Sequence, residues 1–335
     1  MLTILFTALT TVLTSGVAES VPSTFDEGPE PHTMFVLVSF DATPRGDVPP
    51  EEYHFVQMLE RVRAAAPEGF AGPRPSFTMF FNTILLQLRR TWTPPSYSSW
   101  SQNDAWKALI KSDWLNRSRV VGHGRNPDTI ATSVRTLKHL GKMGVELASH
   151  GVQHEGGRGW SRAQWEAEFN EHARILDLHD LPTPAGFRAP FLQTSIPGPA
   201  RARDAAFQVM QAHGMRYDSS KVGRVKPRWP QRVGETGIWE LEVPMYLRGE
   251  RPFMLFGAAG SNRWGFIHIL RQQFELRYYS DRAPLVLGGH GEFADMTERF
   301  LIEVCYRPGV RCATYSEFVE YLECHPELDE RKPHR

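Results

Sequence analysis

The chain has 335 residues, 41% of them hydrophobic and 23% charged, a mixture that buries a substantial core and excludes a disordered or low-complexity chain. Lysine plus arginine and aspartate plus glutamate number 38 each, so there is no global positive field to draw a polyanion, and nucleic acid is excluded as an expected partner. Length alone allows one α/β barrel or two ordinary domains.

Residues 1–18 form an apolar stretch ending in the small-x-small pattern Gly16-Val17-Ala18 and read as a signal peptide, which predicts a secreted or cell-envelope protein. No lysine or arginine precedes the apolar run, so a short membrane anchor is the alternative. Residues 19–32 are rich in proline and acidic side chains and read as a linker. Beyond them, no apolar run approaches the ~20 residues needed to span a bilayer.

The fold is expected to occupy residues 33–325. Met34 to Phe40 is a continuous β-prone apolar run, as for a strand buried on both faces. Pro50 to Ala66 repeats apolar positions at helical spacing, and Phe77 to Phe81 is a second apolar run. Arg90 to Gly124, with several tryptophans, serines and prolines and no clear period, reads as a long surface excursion of the kind that shapes a binding cleft.

From Pro127 to Met143, Ile130, Val134, Leu137 and Leu140 share one helical face, and Val145 to Ser149 follows as a strand. Ser161, with Glu166 in the first turns, is expected to open a helix running to about His179. Further strands are predicted at Ala185 to Phe187, Tyr217, Ile238 to Val243 and Pro284 to Leu287, and a closing helix at Tyr315 to Leu322. Alternating β and α units favour a parallel barrel or doubly wound sheet. Residues 326–335 read as a polar tail.

Cys305, Cys312 and Cys324 lie far from any histidine pair and lack zinc-finger spacing. One disulfide within the trio, leaving a thiol over, fits an oxidising compartment, and the pairing is open.

Four chemically useful side chains each follow a predicted strand: Asp41, His150, Arg188 and His290. In parallel barrels that end of the strands carries the chemistry. His150 and His154, four apart, are spaced to converge on one ion from a helical turn or tight loop. Asp41 suits a general base, Arg188 a bidentate partner that orients it, and His290 a donor to a departing amine.

Taken in order, Ser39-Phe-Asp-Ala42, Ser149-His-Gly-Val-Gln-His154, Arg188-Ala-Pro-Phe191 and Leu287-Gly-Gly-His290 resemble the motifs of the polysaccharide deacetylases, carbohydrate esterase family 4. Gly186 to Gln193, Met215-Arg-Tyr-Asp-Ser-Ser220 and Leu241 to Pro244 look like its chitin deacetylase branch, and the likeness spans roughly Phe35 to Leu322.

The resemblance implies a single-domain distorted (β/α) barrel that removes N-acetyl groups from an amino-sugar polymer. It implies catalytic roles for Asp41, Arg188 and His290, and one zinc or other divalent transition ion on His150 and His154. It further implies an oxyanion contact from the Phe191 amide; a monomer is expected. Two departures stand out. Ala42 occupies the position of a metal-binding aspartate, which weakens the expected site and leaves a catalytically inactive carbohydrate-binding barrel as the alternative; Asp47, Glu155 and Glu292 are the candidate substitutes. Phe191 stands where tyrosine is usual, which is tolerable because the amide is the group used.

Overall fold

A computed structural model describes residues 33–88, 123–157, 159–192, 200–221, 223, 228–243 and 263–328. The expected signal peptide, the linker, nearly all of the Arg90 to Gly124 excursion and the end of the tail lie outside these residues. Leu88 and Gly124 pair in an isolated parallel bridge, so the two ends of the excursion meet.

Strands β1 (Met34–Asp41), β2 (Thr78–Phe81), β3 (Glu146–Ser149), β4 (Gly186–Phe187), β5 (Tyr217–Asp218), β6 (Gln231–Arg232), β7 (Trp239–Glu240), β8 (Leu285–Gly289) and β9 (Val310–Ala313) form one sheet. Its order is β6-β7-β5-β4-β3-β2-β1-β8, with β9 also pairing with β1, and every pairing except β6 with β7 is parallel. The sheet curls as a distorted (β/α) barrel, the expected architecture.

Alternation along β1 sorts its side chains. Met34, Val36, Val38 and Phe40 face outward onto a layer that includes Phe55, Leu59, Phe300 and Leu301. Phe35 and Leu37 join Phe80, Tyr217, Trp239 and Tyr315 in a second cluster. Ser39 and Asp41 continue that second face toward the C-terminal end of the strand. Polar chemistry is thereby placed at the tip of an apolar stack.

The helices follow the apolar periodicity: α1 (His54–Ala64), α2 (Pro127–Lys142), α3 (Arg162–Asp177), α4 (Ala200–Ala212), α5 (Arg263–Tyr278), α6 (Ala294–Val304) and α7 (Tyr315–Cys324). Helix α1 buries Phe55, Val56, Met58, Leu59 and Val62, and truncating one such leucine to alanine costs ~2–5 kcal/mol. The expected helix from Pro50 divides into a short 3₁₀ turn, Pro50–Glu52, and α1, because Tyr53 between them is extended at φ −67°, ψ 125°.

Helix α3 begins at Ser161 as expected, but its capping partner is Gln164, whose side chain reaches back to the Ser161 amide. The reciprocal bond needs the third helical residue, and Glu166 instead pairs with Arg162 at 2.7 Å. Strands β6 and β9 and helices α4, α5 and α6 are additions to the expected elements. Cys305 and Cys312 form the disulfide, tying the end of α6 to β9, and Cys324 is free and exposed. No helix among the described residues is long and apolar enough to cross a membrane.

Candidate active site

Asp41 closes β1, His150 follows β3, Arg188 follows β4 and His290 follows β8. Asp41, His150, His154 and His290 line one cavity of about 370 Å³, and Ala42 lies in its wall. Arg188 stands behind Asp41, with no exposed surface.

The Arg188 guanidinium is a hub. It donates to Asp41 Oδ1 at 2.6 Å, to the Ser219 carbonyl at 3.1 Å, and to the hydroxyls of Ser39, Ser219 and Tyr315 at 2.8, 2.9 and 3.1 Å. Its face covers the Phe80 ring, 4.1 Å from the centroid. A buried cation is tolerable only when paired and fully bonded, and this one is held on every side. Ser39 Oγ in turn donates to the Leu287 carbonyl at 3.0 Å, which ties the hub to β8.

Burial alone would raise the Asp41 carboxyl; the opposing pull of Arg188, then of His150 and His290, outweighs it and holds the group below its ordinary value. Asp41 is therefore an ionised carboxylate at neutral pH. Its Oδ2 lies 3.9 Å from His150 Nε2.

His150 is fixed from three directions. Its amide donates to the Phe81 carbonyl at 2.9 Å, its own carbonyl accepts from Asn82 Nδ2 at 2.5 Å, and Nδ1 lies 2.8 Å from the Arg188 carbonyl. A carbonyl partner makes Nδ1 the donor, which leaves Nε2 as the lone-pair nitrogen, directed toward Asp41 and the cavity. Desolvation keeps His150 below its usual pKa despite Asp41, and burial lowers His154 to about 3, so both imidazoles are neutral.

The segment joining the two histidines is a tight loop. Gly151 has φ +75°, and a Cβ there would sit 2.7 Å from Glu168 Oε1, the oxygen that accepts from the Val152 amide at 2.6 Å. Glycine is required on both counts. His154 itself has φ 60°, its ring meets the His150 and Phe191 rings at 5.0 and 4.7 Å, and its buried Nδ1 has no hydrogen-bond partner among the described residues. Phe191 and Leu192 are both left-handed, at φ 57° and 55°, strain of order 1–3 kcal/mol each that marks functional sites.

The chemistry of the donor set decides how a metal ion would fit. Two neutral imidazoles, one carrying an orphaned buried nitrogen, suit a borderline ion such as zinc. Among the described residues no third protein ligand joins them: Asp41 Oδ1 is held by Arg188 and Asp47 pairs with Arg125 at 3.0 Å. Among the described residues no group of three His, Cys, Asp or Glu is placed to hold a metal. The residues fit a two-histidine site completed by water or substrate oxygen.

A known structure shares this arrangement of strands and helices. A provisionally assigned polysaccharide deacetylase from Mycobacterium smegmatis superposes with a TM-score of 0.53 and 15% identity, covering 91% of this chain and 95% of that one. The chain has the polysaccharide deacetylase fold. A provisionally assigned polysaccharide deacetylase from Pseudomonas aeruginosa PAO1 gives 0.49 and 18%, over 92% and 98% of the two chains. A family 4 carbohydrate esterase from Streptomyces lividans in complex with acetate gives 0.42 and 11%, over 83% and 91%. No family model and no curated protein matches the sequence.

Around this rim, sequence motifs did not reveal Ser39, Asn82, Ser219 or Tyr315 as supports, or His54 as a further cavity-lining imidazole. The signal available for the serines was positional: Ser39 shares the Asp41 face of β1, and Ser219 follows Tyr217-Asp218.

Proposed function

We propose that the protein is a hydrolase that removes N-acetyl groups from an acetylated amino-sugar polymer of the chitin or peptidoglycan type. The observation that carries the reading is a single one: an ionised carboxylate, Asp41, clamped by a buried arginine and opening onto a cavity lined by four histidines, His54, His150, His154 and His290. The fold supports the reaction class, since strand-tip chemistry on this barrel suits carbonyl hydrolysis. The apolar residues 1–18, ending in a small-x-small pattern, support action outside the cell.

In this reading Asp41 takes the proton of the attacking water, and Arg188 keeps the carboxylate ionised and aimed. His290 hands a proton to the departing amine. The Phe191 amide donates to the oxyanion that forms on the acyl carbon. His150 and His154 would hold a divalent transition ion such as zinc, which when bound supplies a more acidic water and a polarised carbonyl.

Acetate release from acetylated chito-oligomers tests the reading. His290→Ala should abolish turnover and leave zinc content unchanged; equal loss of both contradicts the assignment.

Ala42 favours a second reading, a barrel that binds glycan without cleaving it. The discriminating experiment pairs the wild type with Ala42→Asp. Zinc in the purified wild type with acetate release eliminates the binding-only reading. Acetate release by Ala42→Asp alone, together with binding of chito-oligomers by the wild type, supports it, because the missing carboxylate would then be the difference between binding and cleavage.

A further inference from the structure

One segment resembling the chitin deacetylase branch, Met215 to Ser220, takes no part in the reaction just described, yet it bonds both the Arg188 guanidinium and the Ala189 amide. Strand β5 ends at Asp218, and the three residues from Asp218 to Ser220 have essentially no exposed surface. Ser219 holds the Arg188 side chain: its carbonyl accepts from Nε at 3.1 Å and its hydroxyl from a terminal nitrogen at 2.9 Å. Ser220 holds the peptide that follows, with Oγ accepting from the Ala189 amide at 2.8 Å.

Asp218 fixes Ser220 itself. Its Oδ1 accepts from Ser220 Oγ at 2.6 Å and its Oδ2 from the Ser220 amide at 3.1 Å. The first bond sets the direction of the hydroxyl. With its hydrogen committed to Asp218, Ser220 Oγ can only accept, and the Ala189 amide is the donor that meets it.

This arrangement has a mechanical consequence. Ala189 stands between Arg188, which aims Asp41, and the left-handed pair Phe191 and Leu192. A strained turn persists only where its surroundings over-determine it, and the bond from Ala189 to Ser220 is the anchor at its base. Arg188 is thus gripped at both ends, by Ser219 at the guanidinium and by Ser220 just past its carbonyl. That same carbonyl orients His150.

We propose that Asp218, Ser219 and Ser220 form a polar clamp that sets the position of Arg188 and of the Ala189 to Phe191 backbone, acting as positioning residues for the reaction proposed above. The clamp touches neither substrate nor reacting atoms. It acts through Arg188 on Asp41 and through Ala189 on the Phe191 amide, and it rests on the hydrolase reading.

Ser220→Ala removes the anchor, and Asp218→Asn keeps an acceptor for the Ser220 hydroxyl but presents a donor to the Ser220 amide. A misplacement of about 1 Å in a catalytic group costs on the order of 100-fold, and losing an outer supporting partner costs about 10- to 100-fold. Ser220→Ala should therefore lower kcat for acetate release by roughly 10- to 100-fold with KM changed by less than about threefold. Asp218→Asn should fall between it and the wild type.

Hydrogen exchange at the Ala189 amide should quicken in Ser220→Ala. Tyr217→Phe, in the same strand but bonded to Glu146 at 2.9 Å, is the control for a merely structural effect: lower stability with unchanged kcat. The clamp is overturned if Ser220→Ala folds and keeps its kcat, or if Tyr217→Phe lowers kcat as much at equal loss of stability. Should neither the wild type nor Ala42→Asp release acetate, the hydrolase reading fails, and slow, unchanged exchange at Ala189 in Ser220→Ala would overturn the clamp separately.

Discussion

Replacing Arg188 by methionine tests the electrostatic heart of the site without any substrate. Arg188 has no exposed surface and the Asp41 side chain only 8%, so the pair cannot be rescued by solvent. Removing one partner of a buried pair costs about 3–5 kcal/mol because the other charge is stranded, and the Ser219 carbonyl also loses its donor, a penalty of about 1–3 kcal/mol. We expect Arg188→Met to lose about 4–8 kcal/mol. Asp41→Asn should lose less, about 2–3 kcal/mol, since the guanidinium retains four other acceptors.

The double variant strands no charge, so it should lose about 3 kcal/mol less than the sum of the two singles. Urea unfolding at neutral pH of all four proteins measures the cycle. The sign of its pH dependence is fixed as well. In the wild type the folded pKa of Asp41 lies below the ordinary value, so its stabilisation is present above that value and fades as pH falls through the lowered one. In Arg188→Met, burial acts with its main opponent gone, the carboxyl moves up, and the defect shrinks on acidification. Single-variant losses that add to within about 0.5 kcal/mol, or a defect that grows toward low pH, would refute the stranded-charge account.

Other outcomes follow from the same framework. Opening the Cys305–Cys312 disulfide, whose cysteines are 7 apart, as Cys305→Ala/Cys312→Ala should cost about 2 kcal/mol by the chain-entropy relation, read as a lower urea midpoint that reductant no longer changes. Glu146→Ala strands the Tyr217 and Thr78 hydroxyls and the Ser316 amide and should cost several kcal/mol, while leaving kcat intact, because Glu146 opens β3 at the end of the barrel away from the cavity. Ser161→Ala removes a reciprocal cap and should cost about 1 kcal/mol.

What was legible in the chain divides by physical scale. Strands β1, β2 and β8 lie within one or two residues of their expected bounds because each carries a continuous apolar run, a pattern with few competitors, and β3 lies within one residue of its expected start, directly after a helix with a clear apolar face. Strand β9 escaped because it has only four residues, two of them half-buried, after Pro308-Gly309. Its place is fixed by pairing with β1 and by the disulfide, both long-range. The Ser161 cap was visible; its reciprocal partner, Gln164, is set by the third helical position, the one that reaches back.

The rim was legible for a different reason. A carboxylate, an arginine and histidines placed after strands are rare enough to signal chemistry, and barrel geometry brings strand tips together. Their supports were not legible, because a serine has no signature of its own. Ser39 matters only because β1 and β8 are paired in a register that sets Ser39 opposite Gly288, and Ser220 matters only because β4 and β5 pair Phe187 with Asp218. A shift of one residue in either register would turn these hydroxyls to the other face of the sheet. The rim side chains can thus be named from their own chemistry, whereas the groups that aim them are defined by strand pairing, so a variant that slips the β4 and β5 register should disable the proposed activity with every motif residue still in place.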